Sequence, residues 1–183
     1  MKLLCFFVLL VMCSCSFLDK ERKEYFNQLD QLESEINALE NKLLSNEIDT
    51  LAALQLATNS VELRIKNYLV LDTINMSLAK KLNDYKVMRR AFGPLGSQFQ
   101  KGKKSLREER ETLKKLRTDI ENGSGEREKY SDYISFEKEK IKKISILIDD
   151  YVKQKNKNMN TFHSLHPELN EFSLSLLTKN DAY

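Results

Sequence analysis

Tyr25-Phe26-Asn27-Gln28-Leu29-Asp30-Gln31-Leu32-Glu33-Ser34-Glu35-Ile36-Asn37-Ala38-Leu39-Glu40-Asn41-Lys42-Leu43 decides the fold. Its apolar residues Tyr25, Leu29, Leu32, Ile36, Leu39 and Leu43 alternate gaps of four and three with polar residues between, the seam of a helix that packs on another helix. The spacing predicts a first helix over about 18–44. Ser45-Asn46 and then Glu47 and Asp49 suit a new helix start, although nothing there forbids a continuous helix. A second helix is expected from about 48 to Phe92 on a stripe through Val61, Ile65, Tyr68, Leu71, Ile74, Leu78, Leu82 and Tyr85. Thr58-Asn59-Ser60 is its least helical point and the place for a kink or short connection.

Phe92-Gly93-Pro94-Leu95-Gly96 is expected to end that helix, because proline breaks the hydrogen-bond ladder and glycine reaches unusual dihedrals. A third helix over about 97–121 carries Leu106, Leu113, Leu116 and Ile120. The turn Asn122-Gly123-Ser124-Gly125 leads to a fourth over about 126–157, striped by Tyr130, Ile134, Ile141, Ile144, Ile148 and Tyr151. After the polar run Lys153–Asn160, Phe162, Leu165, Leu169, Phe172, Leu176 and Leu177 predict a short C-terminal helix, with Pro167 in its first turn, that folds back on the bundle; the other reading is a docking peptide. The fold class is all-α: an elongated antiparallel, coiled-coil-like bundle of three to four long helices plus that short helix. The organisation is a leader over 1–14, a bundle over 15–158 and a C-terminal segment over 159–183.

Composition agrees. Among 183 residues there are 5 Gly and 2 Pro, where average usage gives about 13 and 9, so a many-stranded sandwich and a Pro/Gly-rich disordered chain are both excluded. No Trp, two His and three Cys leave little equipment for metal or nucleophile chemistry.

The N-terminus carries the compartment signal. Lys2 precedes an apolar run from Leu3 to Met12, then Cys13-Ser14-Cys15-Ser16. A basic start, an apolar run of about 10 residues and small residues behind it make a secretory signal. A spanning helix needs about 20. All three cysteines lie at 5, 13 and 15, so a mature chain beginning at Cys15 has one thiol and no disulfide.

Met12-Cys13-Ser14-Cys15 resembles the lipobox of bacterial lipoproteins processed by signal peptidase II, in particular small helical lipoproteins of the Bacteroides/Flavobacterium type. Ser14 fills the small position before the acceptor Cys15; Met12 and Cys13 depart from the usual pattern. Cys13 as acceptor would put bulky Met12 at the cleavage site. The resemblance implies acylation of Cys15 with two or three chains such as palmitate, enough for stable anchoring where one chain is marginal. Ser16 after the acceptor favours the outer membrane, and the basic residues that interrupt Asp19 and Glu21 favour its periplasmic face over the surface.

Charge is unevenly placed. Residues 18–47 carry eight acidic and four basic side chains, whereas 97–121 carry eight basic and five acidic. Lys103, Arg107, Arg110, Lys114 and Arg117 repeat at gaps of four and three, a basic ridge beside the leucine stripe. It reads either as a flank that pairs with the acidic first helix or as a site for an anionic partner; pairing is the preferred reading. His163 and His166 lack the further ligands a metal needs, and no Glu-x-x-His motif accompanies them. Adjacent carboxylates such as Glu108-Glu109 and Asp149-Asp150 point to different helix sides and read as solvated, with no pocket to raise a pKa. Asp49-Thr50-Leu51 and Asp72-Thr73-Ile74 resemble the acceptor tripeptide of Bacteroides-type O-glycosylation at Thr50 and Thr73, the latter inside a helix.

The expected function is a non-catalytic structural, scaffolding or protein-interaction role in the cell envelope, without catalytic, cofactor or metal site. The partners are the membrane through Cys15 and an envelope protein; nucleic acid and small-molecule substrates are not expected, and an oligomer is compatible with the sequence. The alternatives are a surface-displayed binder that uses ridge 103–117 and a periplasmic holdase.

Overall fold

The computed structural model describes residues 2–70, 73 and 75–180, with side chains over 20–70, 73 and 75–178. Their order is α1 (Lys2–Leu44), α2 (Leu51–Tyr68), α3 (Met76–Asn122), a 3₁₀ turn (Arg127–Lys129) and α4 (Tyr130–Asn180), an all-α bundle with no strand among the described residues. The leader over 1–14, Cys15 and Ser16 fall where no side chain is described, and Asp72 and Ile74 lie outside the described residues. Among the described residues no helix is long and apolar enough to cross a membrane.

Two compact units divide the chain. The first comprises Met1–Lys42 and Lys103–Ile146. Its core is the heptad seam read from the sequence: Leu29, Leu32 and Ile36 of α1, Leu106, Leu113, Leu116 and Ile120 of α3, and Tyr130, Ile134, Ile141 and Ile144 of α4 are all buried. The turn into α4 works as expected. Gly123 and Gly125 take φ of 62° and 81°, the left-handed region that glycine enters without penalty. The Tyr130 hydroxyl closes the turn by donating to the Ser124 carbonyl at 2.6 Å.

The second unit comprises Leu43–Gly102 and Leu147–Tyr183. Val61 and Ile65 of α2, Tyr85, Met88, Phe92, Leu95 and Phe99 of α3, and Ile148, Tyr151, Leu169 and Leu176 of α4 are buried there. Tyr151 donates to the Asn46 carbonyl at 2.7 Å and so fastens the α1–α2 connection to α4.

Four expectations are corrected. The helix expected over 48–92 is interrupted: α2 ends at Tyr68 and α3 begins at Met76. The cause is a cap, since Asn75 Oδ1 accepts from the Leu78 amide at 3.1 Å, the satisfaction of orphan donors that starts a helix. The suspected break at Thr58–Ser60 is instead helical. Thr58 is fully buried and donates back to the Leu54 carbonyl at 2.8 Å, which removes the hydroxyl's competition with the ladder.

Phe92–Gly96 does not end a helix: Pro94 lies inside α3. An interior proline costs about 3 kcal/mol. Phe92, Leu95 and Phe99 are each buried, and every such burial returns about 1.5–3 kcal/mol, so packing holds the helix through the break. The same balance governs the C-terminus. No separate short helix forms there; α4 continues to Asn180 with Pro167 inside it. Leu169 and Leu176 are its buried anchors beyond the proline.

Candidate functional site

Buried positions on α3 run Leu106, Glu109, Leu113, Leu116, Ile120, and on α4 Tyr130, Ile134, Glu137, Ile141, Ile144. Both helices therefore carry a glutamate at a seam position where the heptad calls for an aliphatic side chain. Glu109 is 2% exposed and Glu137 8%. Lys140, one turn along α4, bridges them: Nζ stands 2.8 Å from Glu109 Oε2 and 2.5 Å from Glu137 Oε2. Among the described residues, Glu109 Oε1 has no hydrogen-bond partner.

One partly exposed lysine faces two buried carboxylates. Burial pushes the Glu109 carboxyl up to about 7, helped by its hydrogen bond with Glu137 and opposed by Lys140. The Lys140 ammonium is itself held above its ordinary value: desolvation lowers it, but the two carboxylates outweigh that effect. The layer can therefore hold a proton near neutrality. Reading Glu108-Glu109 as wholly solvated is corrected for Glu109. The sequence signal was the three-four spacing itself, which runs through Glu109 and Glu137 without interruption; Glu108 is exposed as expected.

The basic ridge divides. Arg110 Nη2 stands 2.7 Å from Glu40 Oε2 and donates to Asn37 Oδ1 at 2.9 Å. Arg117 donates to Glu33 Oε1 at 3.1 Å and also pairs with Asp30. The hydrogen bond from Arg110 holds the Glu40 carboxyl below its ordinary value despite partial desolvation. These two arginines reach the acidic face of α1, the pairing arrangement. Lys103, Arg107 and Lys114 are exposed, and Lys103 contributes to the lowered carboxyl of Glu40.

A cleft of about 220 Å³ opens at the α3–α4 turn of the first unit, lined among others by Glu21, Arg22, Tyr25, Gly123, Arg127 and Tyr130. Its polar groups are engaged with one another. Arg22 donates to the Glu121 carbonyl, Arg127 Nε to the Gly123 carbonyl at 2.9 Å, and Tyr25 to Glu21 Oε1 at 2.7 Å. The bond to Glu21 drives the Tyr25 phenol up to about 12. None of the cleft's lining residues belongs to the Glu109 layer.

His166 and His163 both lie within α4 rather than at a helix start. His166 Nδ1 shares a 2.6 Å hydrogen bond with the Tyr85 hydroxyl, and its ring stacks on Phe162 at 4.4 Å. Burial, with the nearby Arg64, lowers its pKa. That is a packed histidine, and no group of three potential ligands capable of holding a metal occurs among the described residues. Thr50 is exposed just before α2, and its side chain makes no cap bond. Thr73 is exposed in the connection between α2 and α3, not inside a helix as the sequence suggested. No family model, curated protein or solved structure matches the chain.

Proposed function

We propose that the chain is an envelope lipoprotein, moored through acylated Cys15 to the periplasmic face of the outer membrane, with a non-catalytic scaffolding or protein-interaction role. The observation that carries this reading is the cysteine distribution: three in the first fifteen residues, at the end of an apolar run, and none from Ser16 to Tyr183. An exported domain stabilised by disulfides would keep its cysteines in the body. Here the helical bundle owes its stability to apolar seams, which leaves the one retained thiol to carry lipid.

Two or more acyl chains give stable attachment at about 0.8 kcal/mol per buried CH₂. The long helices fit a non-catalytic role, because Arg22, Arg127 and Tyr25 of the cleft bond within the fold and Lys140 pairs with both buried carboxylates. The test is metabolic labelling with palmitate in cells that make the native chain. Wild type is expected to take up label and sediment with membranes, and Cys15→Ser to do neither. Label that persists in the variant, or a wild type that never acquires it, refutes the reading.

A further inference from the structure

Among the described residues, the outer face of α2 has no partner within its unit. With 3.6 residues per turn, Thr58, Val61 and Ile65 point into the core, and Leu56 and Leu63 point directly away from it. They are 70% and 57% exposed. Seven residues apart, they repeat the coiled-coil period on the wrong side of the helix, and exposed Ala52 and Ala53 leave room beside them. Glu62 pairs with Arg89, and Arg64 with Ser173 and Asn170, so these two charges are engaged inside the unit.

The charges left on this face are exposed Asp49, just before the helix, and exposed Lys66 in its last turn. Parallel packing of two such helices would set Asp49 against Asp49 and Lys66 against Lys66. Antiparallel packing sets each against its opposite.

We propose that α2 is the self-association surface of this protein, and that a second copy of the chain packs on it antiparallel, about a two-fold axis near Asn59 and Ser60. The axis brings Leu56 of each copy onto Leu63 of the other, twice over, as an isologous interface requires. It also sets Asp49 within about one turn of the other copy's Lys66. The proposal requires nothing of Cys15, so it stands or falls apart from the lipid reading.

Sedimentation of the full chain in detergent, over a range of concentrations, tests it. Wild type is expected to reach twice the mass of a single chain. The double variant Leu56→Glu/Leu63→Glu is expected to stay single, with helicity unchanged because neither side chain belongs to the core. Asp49→Lys is expected to weaken association about tenfold at low salt, equivalent to 1.4 kcal/mol, and Asp49→Lys/Lys66→Asp to restore it. A wild type that remains single at every concentration overturns the proposal and leaves the face to lipid or another protein. So does a double glutamate variant that associates as wild type does, or a charge swap that restores nothing.

Discussion

Glu109 occupies a position that coiled-coil packing reserves for leucine, and the consequence is a pH-dependent stability. Its carboxyl titrates near 7 in the folded unit and near 4.3 in an unfolded chain. The folded state therefore binds the proton more tightly. Stability from this group is complete below pH 4, declines as pH rises, and is gone above pH 7. The difference is on the order of 4 kcal/mol at 1.36 kcal/mol per unit. Denaturant unfolding from pH 4.5 to 8 is expected to show this decline in wild type and to lose most of it in Glu109→Gln, with the variant the more stable at pH 8. Equal slopes would mean that Lys140 neutralises both carboxylates without a shared proton. Burying charge at a seam lowers stability, and Lys140 joins α3 to α4 at this layer through its pair with Glu109.

The heptad seams of the first unit were legible at the scale of the element, because alternating three-four spacing has few other meanings over several turns. So were the break near Ser45 and the turn at Asn122–Gly125. Helix ends near proline were not. Pro94 and Pro167 carry the usual local signal for termination, and tertiary burial of Phe92, Phe99 and Leu169 overrules it; nothing local reports that burial. Asn75 illustrates the converse: a cap hidden in a stripe that looked continuous through Leu71, Ile74 and Leu78. Of the candidate site, the Arg110 and Arg117 pairings followed from charge placement. The Glu109 layer was present in the spacing but masked by its charged neighbour Glu108. Gly123 tests the turn chemistry. Its φ of 62° is strained for any side chain, and a Cβ there would collide with the Arg127 guanidinium. Gly123→Ala is expected to lower the unfolding free energy by about 1–2 kcal/mol, read from the shift in denaturant midpoint.

The whole molecule presents two readings of its location, and its connections give a way to separate them. A periplasmic scaffold is shielded by the outer membrane; a surface binder that uses ridge 103–117 is not. Proteases cut exposed backbone outside helices, and among the described residues such positions include Glu47, Asp49 and Thr50 between α1 and α2, the bend at Thr73 and the turn over Ser124–Glu126. Arg127 and Lys129 flank that turn and are exposed. Trypsin added to intact cells is expected to leave the chain at full length, and the same dose after permeabilising the outer membrane is expected to cut first at Arg127 or Lys129. Cleavage there in intact cells would move the protein to the surface. It would also return the ridge to consideration, with exposed Arg107 and Lys114 as its contacts, because Arg110 and Arg117 are already engaged by α1.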